Sequence, residues 1–155
     1  MRLTLLAVGD KLPAWAEAAT AEYLKRMPRE ARVDLVTVKP EKRAGQAADS
    51  LKQAEGARLL DKLPEGARLV ALDEHGRQAS TRELADLLAR WRSSGRDVCL
   101  VIGGTDGLAP AVLEKAETTL ALSRLTLPHA LARVLLAEQL YRATSLLNNH
   151  PYHRE

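Results

Sequence analysis

The chain has few of the aromatic residues that usually fill a small core and few of the cysteines that can cross-link one. It has 155 residues with no phenylalanine, and aromatic residues make up 3% of it. Hydrophobic residues make up 46% of the chain and most of them are leucine or alanine, so we expect an aliphatic core. A chain of this length can fold without disulfides or metals to stabilise it. Its one cysteine, Cys99, excludes an internal disulfide and fits a reducing compartment.

Long hydrophobic runs are also missing. No stretch is long and apolar enough to cross a bilayer, and residues 1–5 begin a strand pattern rather than a signal peptide. We therefore expect a soluble cytoplasmic protein with no membrane partner. Cys99 lies in the apolar run 98–102, which predicts a buried small hydrophobic residue.

The net charge is +3, but the basic residues are unevenly spread. Seven of them lie between Leu24 and Arg43 against three acids, a local excess of four (7 − 3). They are Lys25, Arg26, Arg29, Arg32, Lys39, Lys42 and Arg43. Such a basic segment either contacts a phosphate backbone or forms a solvated surface, and charge alone does not decide between the two.

Short apolar strands alternate with helical periods along the chain. Strands are predicted at 2–8, 33–38, 67–72, 97–102 and 118–122, and helices at 14–26, 44–62, 81–94, 110–117 and 130–147. The third helix begins with a capping box at Ser80 and Glu83. This order predicts an α/β fold, a parallel-rich sheet with helices on both faces, in a single domain spanning 1–155.

Three loops follow predicted strands at the edge of the sheet where ligands bind in open α/β folds. They are 72–76, 103–107 and 122–129. In the second, Gly103 and Gly104 let backbone approach a ligand closely, although a tight structural turn explains the pair equally well. The glycine spacing of a dinucleotide site and the Gly-Lys-Ser/Thr of a triphosphate site are both missing.

The third loop carries leucines in a segment too irregular for a helix or a strand. Leu122, Leu125 and Leu127 either form the apolar wall of a pocket, whose free main-chain groups read a flat heterocycle, or pack in a buried crossover. The neighbouring Ser123 lacks the Gly-x-Ser-x-Gly surroundings of a hydrolase nucleophile.

The end of the chain is rich in polar rings. Residues 148–155 read Asn-Asn-His-Pro-Tyr-His-Arg-Glu, and three of the four histidines lie after Leu125. Because a chain end is normally the least ordered part of a domain, this concentration predicts an end that is folded back and used. The histidines lack the spacing of a metal site, and we expect no metal.

These motifs together resemble a known family. The Ile-Gly-Gly-x-x-Gly turn at 102–107, Leu-Thr-Leu-Pro-His at 125–129, Glu-x-x-Tyr-Arg-Ala at 138–143 and the terminal residues 149–155 are similar to the small 23S rRNA pseudouridine-N3 methyltransferases of the SPOUT superfamily. The resemblance covers the full length, and the C-terminal motif is its most specific part. The chain departs at Thr105, where members often have proline, which predicts altered loop rigidity rather than lost binding.

The resemblance implies a deep trefoil knot in the C-terminal half, an obligate homodimer and S-adenosylmethionine held in the knot. The cofactor pocket then maps to Leu72, Gly103, Gly104, Leu122, Ser123, Arg124, Leu125, Thr126 and Leu127. The substrate side maps to His129, Arg142, Tyr152, His153 and Arg154, with the tail completing the partner's site. The implied reaction is methylation of N3 of a pseudouridine in helix 69 of 23S rRNA, within the assembled ribosome.

The chemistry of this reaction assigns roles to the substrate-side residues. Methyl transfer from a sulfonium asks the protein to align the acceptor nitrogen and to stabilise it as it loses a proton. Arg154 or Arg142 would stabilise the charge that spreads onto the two flanking carbonyls. His153 or His129 would accept the proton.

Two residues of the motif have a further interpretation. Tyr152 would stack on a splayed base or hydrogen-bond its edge. Arg142 has an alternative in an intrahelical ion pair with Glu138, four positions before it. Ala109, just before Pro110, is a poor helix cap, at a cost of about 1 kcal/mol relative to serine.

Three other functions are left open by the sequence. One is a SPOUT methyltransferase that acts on another RNA, such as tRNA. A second is a non-catalytic ribosome-binding or assembly factor, whose RNA binding would be insensitive to loss of Tyr152, His153 and Arg154. The third is a small-molecule α/β enzyme, which would work without RNA and ignore the basic segment.

Overall fold

A computed structural model gives the fold, and it describes residues 1–154, the last two by their backbone alone. The strands are β1 (Leu3–Val8), β2 (Val33–Val38), β3 (Arg68–Gln78), β4 (Val98–Ile102) and β5 (Thr118–Ala121). The helices are α1 (Ala14–Lys25), α2 (Ala48–Lys62), α3 (Thr81–Ser94), α4 (Pro110–Lys115) and α5 (His129–Leu147). Short 3₁₀ turns lie at Arg29–Ala31 and Pro151–Arg154.

The sheet is parallel throughout and has the order β2-β1-β4-β3-β5. Strands β1 and β4 are buried along their whole length, which explains why they read as nearly continuous apolar runs, broken only by Thr4, rather than alternating ones. Helices α1, α3 and α5 cover one face, and α2 and α4 cover the other. The predicted α/β class is therefore confirmed. The strand order is consistent with the C-terminal knot, which stays a prediction.

The core has two aliphatic layers, one on each face of the sheet. Leu5 joins Leu140 of α5 in the first layer, and Leu59 of α2 joins Val112 of α4 in the second. Cys99 lies in the second layer with 0% of its surface exposed, which confirms the predicted buried residue. Burial raises the pKa of its thiol to about 12.

Strand β3 is longer than predicted, and this changes the first of the three loops. Leu72 and Arg77 both pair with Leu120 of β5, so residues 73–76 bulge out between them. Gly76 passes so close to β5 that a Cβ there would lie 2.8 Å from backbone atoms of Leu120. The predicted loop is thus a bulge inside the strand, which turns its side chains toward the sheet edge.

Helix boundaries agree with the predicted ones to within two residues, except at the start of α2. Helix α2 begins at Ala48 rather than at residue 44, which leaves 39–47 as a connecting segment. The capping box of α3 is confirmed, because the Ser80 hydroxyl accepts a hydrogen bond from the Glu83 amide at 3.1 Å. Ala109 provides no side-chain cap, as predicted, and it is 2% exposed against Gly56 of α2. Among the described residues, no helix is long and apolar enough to cross a membrane.

Candidate active site

A cavity of about 470 Å³ lies at the carboxyl ends of β4 and β5, beside the bulge of β3. Its wall takes in the bulge of β3, the glycine turn after β4, the loop after β5 and the first turns of α5. The predicted cofactor residues on this wall are Leu72, Gly103, Gly104, Leu122, Ser123, Leu125, Thr126 and Leu127. Arg124 is exposed on the same loop, outside the cavity wall. Topology therefore brings together residues that lie in three separate parts of the sequence.

The glycine turn, residues 103–107, forms part of the cavity wall, and a hydrogen bond within the turn closes it. The Gly107 amide donates to the Gly104 carbonyl at 3.1 Å, and Gly107 has a φ of +84°. A Cβ on Gly103 would lie 2.6 Å from backbone atoms of Gly107, and one on Gly104 would lie 3.0 Å from Val8. The tight-turn interpretation is thus correct, and at Gly103 and Gly104 the backbone lines the cavity with no side chain covering it.

The leucine-rich loop after β5 is a cavity wall rather than a buried crossover. Leu122, Leu125 and Leu127 all line the cavity, and Leu125 is 75% exposed. The hydroxyl of Ser123 accepts a hydrogen bond from the Leu125 amide at 2.8 Å, which fixes the turn locally. The open interpretation of this loop is therefore resolved in favour of a pocket.

The bulge of β3 adds acidic groups to the cavity that the sequence did not single out. Asp73 accepts a hydrogen bond from the His75 amide at 2.9 Å, and its Oδ2 lies 3.3 Å from Nδ1 of that imidazole. Glu74 lies opposite the third loop, with Oε2 3.4 Å from the Thr126 hydroxyl. Only the Asp-Glu-His-Gly run after the apolar strand signalled these residues.

The connecting segment 39–47 is tied to the glycine turn by ion pairs. A nitrogen of the Arg43 guanidinium lies 2.6 Å from Oδ1 of Asp106, which lines the cavity. Arg58 of α2 bonds Glu41 at 2.5 Å, and the Glu41 amide donates to buried Glu55 at 3.0 Å. One basic residue of the segment thus contacts the cavity wall rather than bulk solvent.

The residues predicted for the substrate side fall into two groups. His129 is the first residue of α5 and lines the cavity. Arg142 lies thirteen positions further along the same helix, which corresponds to about 20 Å at 1.5 Å per residue. The side chains of His153 and Arg154 lie outside the described residues. Within one chain, the described C-terminal residues therefore do not reach the cavity.

Arg142 and Tyr152 meet at Glu138 in a C-terminal cluster. Arg142 Nε lies 2.7 Å from Glu138 Oε1, so the intrahelical ion pair anticipated as an alternative is present. The Tyr152 hydroxyl donates to the same oxygen at 3.1 Å, and Arg142 lies over the tyrosine ring at 4.8 Å. Partial burial, a hydrogen bond with Tyr23 and the charge of Glu138 raise the pKa of Tyr152, so its phenol stays a donor.

The side chains that the structure describes form no metal-binding cluster. Over residues 1–152, no group of three or more histidine, cysteine, aspartate or glutamate side chains is arranged to hold a metal ion. His75 contacts two carboxylates, but its ring is 83% exposed.

Sequence comparison finds a family that spans the chain. A family model described as "Predicted SPOUT methyltransferase" matches residues 1–153. The ribosomal RNA large subunit methyltransferase H of Nitrosomonas eutropha is 55% identical over 154 residues, which cover 99% of each chain. The protein of the same name from Burkholderia mallei is 56% identical over 155 residues, again with 99% coverage of each.

Structural comparison finds the same architecture at low sequence identity. A probable methylase family protein from Haemophilus influenzae superposes with a TM-score of 0.58 at 18% identity, over 97% of this chain and 69% of that one. A probable methyltransferase from Bordetella pertussis gives 0.59 at 19% identity, over 92% and 95%. At this level of identity the two structures show a shared fold only.

Proposed function

The chain belongs to the SPOUT methyltransferase family, and from that premise we propose that it methylates ribosomal RNA of the large subunit with S-adenosylmethionine as donor. The observation that carries the proposal is the cavity, which gathers eight of the nine residues predicted for the cofactor. The full-length relatives bear the name of ribosomal RNA large subunit methyltransferases, which supports the same substrate class.

The cavity fits the cofactor in size and in chemistry. Its volume of about 470 Å³ lies within the usual range of roughly 300–1,000 Å³ for small-ligand pockets. Gly103 and Gly104 let the turn that lines the cavity pack tightly, because a Cβ at either position would contact Gly107 or Val8, and the leucine wall suits a flat heterocycle. Asp73 and Glu74 supply negative charge near a cationic ligand. When bound, the cofactor supplies the electrophilic methyl group.

We propose N3 of a pseudouridine in helix 69 as the acceptor, which is the finer part of the assignment. N3 lies between two carbonyls, so its deprotonation spreads negative charge onto both oxygens. His129 lines the cavity, where an imidazole would accept that proton. Arg154 or Arg142 would stabilise the oxygens, because a guanidinium matches planar acceptors. This division of roles rests on the family resemblance together with the position of His129.

The active site we propose is completed by a second copy of the chain. Arg142 lies about 20 Å along α5 from His129 of its own chain's cavity, by the rise of a helix, and Tyr152 packs against Arg142. We propose a homodimer in which the tail of each chain reaches the cavity of the other, as the family resemblance implies, and two-fold symmetry would make the two sites alike. The proposal assigns His153 and Arg154 to the partner's cavity for the same reason.

We propose that the basic segment, residues 24–43, binds RNA. The protein would be cytoplasmic and would act on the assembled ribosome. Five of the segment's seven cations, Lys25, Arg29, Arg32, Lys39 and Lys42, are exposed and have no acidic partner among the described ion pairs. Arg26 and Arg43 are paired with acids. Contact with phosphates would release counterions, so we expect binding to weaken as salt rises.

The decisive experiment is transfer of labelled methyl groups from S-adenosylmethionine to intact ribosomes, separate subunits, free rRNA and tRNA. We expect label on one pseudouridine of the large-subunit rRNA, and its loss in Arg154→Ala. Arg82→Ala, an exposed arginine of α3, is the matched control and should keep full activity. Ribosome binding without transfer to any substrate would favour a binding factor instead, and transfer to tRNA alone would identify a different RNA substrate.

A further inference from the structure

All three tyrosines of the chain gather near the C-terminal end of α5. The ring centroids of Tyr141 and Tyr152 are 4.5 Å apart, with their planes inclined by 50°. Tyr23 of α1 joins them through Arg26, whose guanidinium carbon lies 5.3 Å from the centroid of Tyr23 and 5.9 Å from that of Tyr141. The chain holds only two other aromatic residues, both tryptophans, so most of its aromatic surface is collected here.

Core packing does not account for this grouping. Each of the three tyrosines is partly exposed, and the side chain of Arg26 is 42% exposed. Arg26 is held in place by Glu22, one helical turn before it, with Nε 3.1 Å from the carboxylate. The result is a partly open surface where tyrosine rings and guanidinium groups contact each other.

Positive charge borders the rings on the side of α1. Lys25, Arg29 and Arg32 are exposed and lie just before and after Arg26 in the chain. Glu30 is the one acid between residues 25 and 32. Aromatic faces beside exposed cations are the chemistry with which proteins bind single-stranded nucleic acid.

We propose that Tyr23, Arg26, Tyr141 and Tyr152 form a platform that binds an unpaired nucleotide of the substrate RNA by stacking. The rings and the Arg26 guanidinium contact the base, and the flanking cations contact its phosphates. An unpaired nucleotide is required, because a stacked base within a duplex offers no free face. This inference rests on the proposed function, which supplies the RNA.

The platform has a defined relation to the reaction. Tyr152 belongs to the tail that the homodimer would bring to the partner's cavity, and the platform surrounds Tyr152. It would therefore hold a nucleotide that flanks the target base, at the mouth of that cavity. Tyr23, Arg26 and Tyr141 act in positioning and selecting the RNA, not in the transfer itself.

The test uses the full chain with two conservative variants. Tyr23→Leu removes a ring but keeps apolar volume, and Arg26→Lys keeps the charge but removes the planar guanidinium. Tyr23→Phe, which keeps the ring, and Arg90→Lys, at an exposed site on α3, are the matched controls. Each protein is assayed for KM toward ribosomes, KM toward S-adenosylmethionine, and binding of fluorescein-labelled hexauridylate by anisotropy.

We expect Tyr23→Leu and Arg26→Lys each to raise the KM for ribosomes and the Kd for hexauridylate about tenfold, as for loss of one stacked base. The KM for S-adenosylmethionine should not change, Arg90→Lys should match the wild type, and Tyr23→Phe, which loses the hydroxyl bonded to Tyr152 but keeps the ring, should keep a Kd for hexauridylate close to that of the wild type. Unchanged Kd for hexauridylate in Arg26→Lys would overturn the proposal, as would a loss of the dimer that accounts for the whole effect. If the wild type bound hexauridylate through these residues yet methylated nothing, the platform would stand and the proposed function would fall.

Discussion

Single atoms of the glycine turn set the shape of the cavity. A Cβ at position 103 would lie 2.6 Å from the backbone of Gly107, and backbone does not move aside as a flexible side chain does. Overpacking of this kind costs about 1–3 kcal/mol, so we expect Gly103→Ala to weaken S-adenosylmethionine binding about fivefold or more by calorimetry.

Gly66→Ala is the matched control for that change. Gly66 needs a positive φ, of +75°, which Gly103 does not, but a Cβ at position 66 meets open space. It should lower stability by about 1 kcal/mol and leave cofactor affinity unchanged. Equal affinity in the Gly103 variant and the wild type would show that the turn does not shape the cofactor site.

Cys99 gives stability a pH dependence of known sign. Burial raises the pKa of its thiol from 9.0 to about 12, while the unfolded chain keeps the ordinary value. Between these values the native state holds a proton that the unfolded state has lost. The contribution is therefore complete below about pH 9 and decreases as the pH rises, by at most about 1.4 kcal/mol per unit.

Urea unfolding of the wild type and Cys99→Ala at about pH 8 and pH 10.5 measures this effect. We expect the free energy of unfolding to fall more steeply with pH in the wild type than in the variant, because other titrating groups are common to both. Parallel pH profiles would contradict the burial of the thiol in a dry core.

At the scale of elements, α2 and α4 pack through two small residues. A Cβ on Gly56 would lie 2.8 Å from that of Ala109. Alanine is the better helix former by about 1 kcal/mol, yet we expect Gly56→Ala to lower the free energy of unfolding by 1–3 kcal/mol, roughly, because the helices must separate. Ser50→Ala, exposed in the same helix, should be neutral or slightly stabilising in the same denaturation experiment. A stabilised Gly56 variant would mean that the helix pair adapts freely.

Elements whose burial is uniform could be read from the sequence. The strands β1 and β4 are apolar apart from Thr4, because both faces are covered. Strand β2 is buried only at its two ends, yet its alternating pattern placed it at its observed bounds, 33–38. The extension of β3 could not be read, because it depends on the approach of Gly76 to Leu120, a contact between distant parts of the chain. Local pattern contains no information about such contacts.

The sequence predicted most of the individual residues of the candidate site, but not which of them lie together in the folded chain. Leucine and glycine loops pointed to one cavity, and eight of nine residues line it. The family resemblance grouped His129 with the tail on the substrate side, whereas α5 separates His129 from Arg142 by much of its length. The pair Arg43–Asp106 joins residues 63 positions apart, so only the folded chain reveals it.

At the scale of the whole molecule, the account predicts a dimer. Each chain has a cavity at one end of α5 and the described part of its tail cluster at the other. A chain of 17.0 kDa should therefore sediment at twice that mass, independently of cofactor. A monomer that retains full methyl transfer would rule out a shared active site.

Complementation between two inactive variants tests the shared site directly. Gly104→Val should distort the glycine turn that lines the cavity, because a side chain there meets Val8 and Glu55, and Arg154→Ala removes the guanidinium of the tail, so each homodimer should fail to transfer methyl groups to ribosomes. A mixed dimer has one intact cavity facing one intact tail. We expect co-refolded equimolar variants to recover roughly a quarter of wild-type transfer, since half of the dimers are mixed and each has one working site. No recovery, despite mixed dimers proven by mass spectrometry, would contradict an active site built from two chains.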